Sequence, residues 1–269
     1  MANSLTAFIE GVGLLGPGLT DWASSQAILA GQQPYQPQKA VIPPPELLPA
    51  AERRRCGAAI KLALATSLEA IGAAKLDAAS LASVFSSSHG DGHNCHAICE
   101  MLASDDRQIS PTRFHNSVHN AAAGYWSIAT GAMATSSVLC AFDASFGAGL
   151  LEALTQVVVD NTRSILMTGE TEYPEPLHNV RPLPDALGIA LVLAPQPSPQ
   201  AIAQIKVAIT NDAADQLDDM ALEALRLAIP AARGLPLLRA IAQQKATRVV
   251  LDYLDSTRLA IEISPCQTS

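Results

Sequence analysis

Aromatic and charged residues are scarce in this sequence of 269 residues, at 4% and 16% of the total. The hydrophobic 49% is dominated by alanine, which is typical of helices and strands that pack closely around small side chains. Basic residues are also few, with 17 Lys and Arg against 25 Asp and Glu. The longest basic run, 53–55, is interpreted as the solvated start of a helix. We expect no nucleic-acid partner, because neutralising phosphates requires clustered cations.

The sequence shows no apolar run near the roughly 20 residues that span a bilayer, and its start lacks the pattern of a signal peptide. We therefore expect no membrane span and a cytoplasmic location. The five cysteines are odd in number and irregularly spaced, so reduced thiols are the default expectation. They lie at Cys56, Cys95, Cys99, Cys140 and Cys266.

Hydrophobic periodicity predicts an alternation of strands and helices along the chain. The expected strands are 5–15, 82–87, 136–142, 164–168, 188–193, 202–209, 248–253 and 258–263, and the expected helices are 20–30, 49–74, 94–103, 120–130, 147–160 and 217–227. A proline-rich loop fills 32–49. This order predicts an α/β fold with a mainly parallel sheet and helices on both faces.

Residues 11–16 match the dinucleotide pattern G-x-G-x-x-G. That motif functions when its last glycine opens a helix facing the pyrophosphate, whereas here Pro17 and Gly18 follow at once. We interpret the glycines as part of a strand and turn that serve the fold, and we expect no cofactor.

The segment from His89 to Cys99 is rich in potential zinc ligands, with His93, Cys95 and His96 between them. A structural zinc site usually has a second pair of ligands beyond a spacer, and no such pair follows. A loop after a strand is the preferred interpretation, with no metal expected, and a metal-stabilised binding module is the alternative.

A second polar block, Phe114-His115-Asn116-Ser117-Val118-His119-Asn120, precedes a helix of small residues. Its two histidines could serve proton transfer. The favoured interpretation is a loop that caps the helix and hydrogen-bonds buried backbone.

Further along, 136–142 predicts a strand that ends in a tight turn before the small-residue helix from 147, a geometry that exposes a nucleophile at a helix N-terminus. The helix dipole would activate a thiolate there.

Four segments together resemble the N-terminal half of β-ketoacyl synthases: 9–13, 86–91, the block FHNSVHNAAAGYWSIATG at 114–131, and the strand, elbow and helix at 137–153. The resemblance covers roughly 5–195 and is greatest to the chain-length-factor-like branch of aryl-polyene and type II polyketide systems. It implies a thiolase-like fold with a truncated second half. It also implies that two subunits pair side by side, partly through the strand before the elbow.

In an active synthase the nucleophilic cysteine sits at the elbow. Alignment on the helix places the elbow on or beside Asp143, with Cys140 inside the preceding strand. An aspartate forms no acyl thioester, and a cysteine within a strand is usually buried and inert. The family resemblance also implies two catalytic histidines in the C-terminal half, but all six histidines lie at or before His178. The chain also ends well short of a typical synthase.

The resemblance implies a non-catalytic subunit that pairs with an active ketosynthase and meets the acyl carrier protein indirectly. We expect 1–195 to form the synthase-like half and 196–269 a shortened second half of the same domain. The expected tunnel or interface residues are Phe114, Asn116, Asn120, Phe142, Asp143, Ser145 and Phe146. The alternative is a free-standing acyltransferase with Cys140 as nucleophile and His115 or His119 as base.

Overall fold

A computed structural model describes residues 4–266 of the chain. Its helices and strands follow in the order β1 (Ser4–Leu15), α1 (Trp22–Leu29), α2 (Ala50–Arg55), α3 (Ala58–Ala74), β2 (Ala82–Ser86), α4 (Gly92–Ala103), α5 (Pro111–His115), α6 (Ala121–Thr130), β3 (Ser136–Leu139), α7 (Ser145–Val159), β4 (Ser164–Glu170), α8 (Leu177–Val180), β5 (Leu187–Ala194), β6 (Ala203–Thr210), α9 (Met220–Ala228), α10 (Leu235–Gln243), β7 (Thr247–Leu254) and β8 (Thr257–Pro265). Short 3₁₀ helices occupy Ala78–Ser80, Phe142–Ala144 and Pro230–Gly234.

The strands form one mixed sheet in the order β3-β2-β4-β5-β1-β6-β8-β7. Only β2 pairs in parallel, with β3 and with β4, and the other five pairings are antiparallel. The expectation of a mainly parallel sheet is therefore wrong. Parallel strands need a long crossover, usually a helix, but β4 returns to β5 past only the four-residue α8, and β7 turns directly into β8.

Helices cover both faces of the sheet, as expected. Alternate residues of β5 point to opposite sides: Leu191 joins the core under α7 and α10, whereas Val192 joins the core under α3 and α6. The period of two residues along a strand produces this division. Because both faces are covered, every residue of β4 and β5 is buried, which is why these strands appear as continuous apolar runs in the sequence.

Two glycines of β1 permit α3 to lie directly against the sheet. A Cβ atom added to Gly11 would lie 2.0 Å from the carbonyl oxygen of Ala70, and one added to Gly13 would lie 1.9 Å from that of Thr66. Both oxygens belong to the α3 backbone, which cannot rotate away. The interpretation of these glycines as residues that serve the fold fits this packing.

The predicted helix 49–74 is divided in the structure into α2 and α3, because Cys56 and Gly57 adopt extended backbone conformations. The helices α5 and α10 have no counterpart in the sequence prediction. Both begin with a proline at the first or second position, which looks like a helix breaker but is tolerated in the first turn. The strand predicted at 136–142 ends at Leu139.

One segment, Phe142–Val159, is long and apolar enough to cross a membrane, with 18 residues at a mean hydropathy of 1.2. Its length approaches the roughly 20 residues that span a bilayer, whereas the sequence was expected to contain no apolar run near that length. The helix α7 within it packs against β2 and β4, and Phe146, Leu150 and Leu154 have no exposed surface. It is therefore a core helix of this fold.

Candidate functional site

The chemistry-bearing side chains gather where β2, β3 and β4 end. In an open α/β sheet, binding sites form beyond the carboxyl ends of the parallel strands. Here the ends of these strands carry Ser86, Leu139 and Glu170, and the loops that leave them carry His89 and Cys140.

The elbow between β3 and α7 lies at Phe142, directly beside the expected Asp143. Phe142 has a φ of +52°, in the left-handed region that bulky residues rarely adopt. Hydrogen bonds over-determine this turn: the Ser145 hydroxyl donates to the Phe142 carbonyl at 2.7 Å and accepts from the Ala141 amide at 3.1 Å. The Ser86 hydroxyl donates to the Ser145 carbonyl at 2.6 Å. Backbone strain held in this way is typical of functional turns.

The side chain at the elbow is a phenylalanine held by an arginine. The Phe142 ring is 61% exposed, and the Arg181 guanidinium carbon lies 3.6 Å from its centroid. A nitrogen of the same guanidinium donates to Asp143 Oδ1 at 2.6 Å. Arg181 follows α8 and was not among the predicted site residues, because nothing local in the sequence links it to Asp143, 38 residues away.

Cys140 lies just after β3 instead of inside it, and the expectation of a buried strand cysteine is wrong. The residue is exposed, and its thiol donates to the Ser88 carbonyl at 3.2 Å. The strand stops at Leu139 because the chain must already turn toward the elbow. In the part of the chain that the structure describes, no histidine hydrogen-bonds to this thiol.

A buried carboxylate fixes the loop after β2. Glu170 has a fully buried side chain and accepts from the Ser88 amide at 2.6 Å. His89 Nδ1 lies 2.7 Å from the same carboxylate, and the Tyr173 ring stands 4.3 Å from the imidazole, centroid to centroid. Burial raises the pKa of the Tyr173 hydroxyl, while nearby Arg181 acts in the opposite direction. The loop that contacts Cys140 is therefore held rigidly to β4.

The FHNSVHN block is a polar turn around one buried amide. Asn116 is 6% exposed, and its Nδ2 donates to the Arg55 carbonyl at 2.7 Å. This bond fits the interpretation that the block satisfies buried backbone. The other candidates in the block are all exposed: Phe114, His115, His119 and Asn120. Among residues 4–266, neither His115 nor His119 hydrogen-bonds to Cys140.

Phe146 and Ser145 cannot serve as interface residues on this surface, contrary to the sequence prediction. Both are completely buried. The Phe146 ring fills the core so closely that a Cβ atom on Gly234 would lie 2.3 Å from it. A residue four positions after the elbow faces inward because α7 turns its apolar face to the sheet. Phe142 and Asp143 remain at the surface.

A small cavity of about 40 Å³ lies between the loop after β2 and the FHNSVHN block. Its walls include Phe85, Ser87, Asn116, Val118 and His119. This volume admits about three or four waters at roughly 10 to 15 Å³ each. An acyl chain does not fit in it.

No group of three or more His, Cys, Asp or Glu side chains suited to a metal ion occurs within residues 4–266. His93 and His96 instead face carboxylates singly, with Nε2 4.0 Å from Glu172 and 3.3 Å from Glu100. The structure therefore gives no support to the metal-stabilised module.

Behind the elbow, the Asp252 carboxylate on β7 binds one arginine of α9 and one of the 3₁₀ helix Pro230–Gly234. Arg226 bonds to this carboxylate and Arg233 donates to it at 2.8 Å. Burial disfavours the charged carboxylate, but the two arginines prevail and hold the pKa of Asp252 below its usual value. Asp252 neighbours Tyr253, whose ring would lie 2.9 Å from a Cβ on Gly147 of α7. The network therefore supports the first turn of α7.

Comparisons with solved structures show the thiolase-like ketosynthase fold. A chain of the ketosynthase (ApeO) in complex with its chain length factor (ApeC) from Xenorhabdus doucetiae superposes with a TM-score of 0.73 at 22% identity, over 96% of this chain and 99% of that chain. The AntDE:AntF complex, a type II PKS acyl-carrier protein with its ketosynthase, gives 0.73 at 10% identity over 98% and 100%. The ishigamide ketosynthase/chain length factor gives 0.70 at 14% identity over 98% and 100%. At these identities the likeness establishes the fold alone.

No curated protein matched the sequence. The family described as beta-ketoacyl synthase, N-terminal domain, matches residues 22–252, which is most of the chain. That match, with the elbow and the strand order around it, confirms the resemblance seen in the sequence: the chain belongs to the family of the β-ketoacyl synthase N-terminal domain.

Proposed function

We propose that the chain is a non-catalytic subunit of the chain-length-factor type, which pairs with an active β-ketoacyl synthase and helps to shape its acyl tunnel. The system would be a polyene, polyketide or fatty-acid-like pathway in the cytoplasm, with an acyl carrier protein as an indirect partner. The observation that carries the proposal is Phe142 at the elbow. A phenyl ring in the strained position where a synthase presents its nucleophile cannot form a thioester.

The exposure of Phe142 supports the same conclusion. The ring at the elbow is 61% exposed, so the tunnel would lie between this chain and its partner. The exposed Phe142 ring would form part of that shared wall, held in place by Arg181. The division of the chain near residue 195 stays a prediction, although β6 beyond it pairs directly with β1.

The edge strand β3 is the proposed pairing surface. It bonds to β2 on one side and ends the sheet order on the other, so its outer edge is unpaired among the described residues. An open strand edge is a template for another chain. Met133, just before β3, is 92% exposed, and Ile128 on α6 is 49% exposed. Exposed apolar side chains beside an open strand edge fit a pairing surface.

Co-expression with a candidate synthase tests the pairing. The two chains should elute together in size-exclusion chromatography, and Met133→Asp should weaken the complex. Met220→Asp is the matched control, because Met220 is 87% exposed on α9, which packs mainly against the 3₁₀ helix Pro230–Gly234 and not against β3. A chain that remains a well-folded monomer beside every candidate synthase would overturn the proposal.

A cysteine-directed reagent separates this function from the free-standing acyltransferase. In the reconstituted pair, elongation of a chain on acyl carrier protein should survive Cys140→Ala in this subunit. If labelling of Cys140 abolished product formation and Cys140→Ala did the same, the chain would itself be catalytic through that thiol.

A further inference from the structure

Two exposed cysteines lie on one face of α4. Cys95 and Cys99 are four residues apart, so successive turns of the helix place their side chains one above the other, with Cβ atoms about 5 to 6 Å apart. Burial raises the pKa of the Cys95 thiol, and the neighbouring Cys99 raises this pKa further. The other three cysteines belong to separate segments, with Cys56 after α2, Cys140 after β3 and Cys266 after β8.

The start of α4 is anchored, which fixes the position of the pair. The Asp91 carboxylate accepts from the Asn94 amide at 2.9 Å and caps the helix, and Asn94 Nδ2 donates to the Arg113 carbonyl of α5 at 2.9 Å. Asn94 is 8% exposed, so the loss of this bond would be costly. Cys95 follows this anchor directly. The helix backbone therefore sets the spacing of the two thiols.

This spacing does not suit a disulfide. A disulfide joins Cβ atoms about 3.5 to 4.5 Å apart, so the helix would have to unwind to form one. A metal ion between the two sulfurs, on bonds of about 2.3 Å each, spans about 4.6 Å and requires no such change. The geometry therefore favours an ion between the sulfurs over a bond that joins them.

The number of ligands decides the kind of ion. Structural zinc ions and iron–sulfur clusters are held by four protein ligands. Within residues 4–266, no group of three or more His, Cys, Asp or Glu side chains is suited to a metal. The histidine next to Cys95 along the helix, His96, faces Glu100 instead, with Nε2 at 3.3 Å. Thiolates select soft ions, and among these Cu(I) accepts two ligands in line.

We propose that Cys95 and Cys99 bind one soft monovalent metal ion, Cu(I), between their sulfurs. Two thiols and one Cu(I) ion form a bis-thiolate complex of charge −1 and release two protons, with no change of oxidation state. Because α4 alone supplies the ligands, the ion is not needed to hold the fold together. This property separates the site from the metal-stabilised module that the segment from His89 to Cys99 suggested. The inference is independent of any pairing with a synthase.

The test titrates the purified full chain with Cu(I) in the absence of oxygen, against a coloured chelator specific for Cu(I). The chain should take up one Cu(I) ion tightly. Cys95→Ser or Cys99→Ser should weaken binding by about 100-fold or more, because a single thiol lacks the second attachment. Cys140→Ser with Cys266→Ser is the matched control, since it removes two thiols elsewhere and should leave the tight site unchanged. Circular dichroism shows that each variant is folded.

Moving one thiol along α4 tests the geometry. Cys95→Ser with Ala103→Cys recreates a pair four residues apart and should restore tight binding, whereas Cys99→Ser with Ala97→Cys places two thiols on opposite faces and should not. Absence of tight uptake by the unaltered chain would overturn the inference, as would tight binding by the opposed pair or equal affinity for Zn(II). A disulfide between Cys95 and Cys99, found by mass spectrometry in the folded chain, would equally contradict it.

Discussion

Removing the Arg181 guanidinium should release the Phe142 ring from its fixed position. The guanidinium makes two contacts that alanine cannot: it stacks on the ring at 3.6 Å and bonds to Asp143 at 2.6 Å. A cation–π contact at an exposed site contributes about 0.5 to 1 kcal/mol. The ion pair adds about 0.2 to 1 kcal/mol, because the Asp143 side chain is 53% exposed and the pair is screened by solvent. Arg181→Ala should therefore cost about 1 to 2 kcal/mol in free energy of unfolding.

A double-mutant cycle in urea denaturation separates the two contacts. Arg181→Ala and Phe142→Ala together should show a coupling energy of about 0.5 to 1 kcal/mol. Phe142→Leu keeps an apolar side chain but removes the π face. A cycle with Phe142→Leu in place of Phe142→Ala should therefore give nearly the same coupling energy with Arg181→Ala. Asp143→Asn removes only the ion pair, and its effect should fade at 0.5 M salt, where screening is strong.

The same variants test the proposed tunnel wall. In the reconstituted pair, Arg181→Ala should broaden the distribution of product lengths while the complex still elutes intact, because a mobile ring no longer sets a fixed boundary. A coupling energy near zero would refute the reasoning about the clamp. An unchanged product distribution for both Arg181→Ala and Phe142→Ala would remove Phe142 from the tunnel.

Three further predictions concern stability and chemistry. Gly13→Ala should destabilise the chain by about 1 to 3 kcal/mol in urea denaturation, since its Cβ meets the α3 backbone, whereas Gly124→Ala, with open space at its Cβ, should be neutral or slightly stabilising. The pKa of the Asp252 carboxyl is lower in the folded chain than in the unfolded chain. The stability that this carboxylate adds to the fold is therefore fully present above about pH 4 to 5, where an unfolded carboxyl is ionised, and is lost as the pH falls through the pKa of the folded state. Asp252→Asn should therefore flatten the acid limb of a pH–stability curve, and an unchanged limb would contradict this. In the folded protein, iodoacetamide should modify exposed Cys140 well before buried Cys56, whose thiol pKa is raised by burial. Mass spectrometry would follow both reactions, and equal rates would contradict the described exposure of the two thiols.

The elbow was predictable because its signals are local. A short strand, a turn of small residues and an apolar helix follow one another within about 20 residues, and they placed the turn within one residue of Phe142. A helix was predicted at 147–160, close to the observed Ser145–Val159, but the inward direction of Phe146 was not predicted, since the face that a helix buries depends on what packs against it. The prediction that Cys140 lies inside the strand was wrong for a related reason. The sequence alone does not distinguish the last residue of a strand from the first residue of the turn that follows.

Contacts between distant segments were beyond the sequence. Arg181 reaches Asp143 across 38 residues and Glu170 binds the loop after β2 across 82, and neither residue belongs to a motif that indicates its partner. The antiparallel direction of β5 relative to β4 was not predicted either. Strand order and direction depend on the connections, and the short α8 was hidden in a proline-containing loop.

The place of β1 in the sheet has a consequence for synthesis on the ribosome. β1 pairs with β5 through Val12 and Leu191, and with β6 through Ser4 and Ala208, so β1 is completed by strands made about 180 to 200 residues later. At the usual pace of translation this delay lasts roughly 10 to 40 seconds. Until β6 emerges, the nascent chain presents an apolar strand with an open edge, and the demand for chaperones should be greatest in that interval.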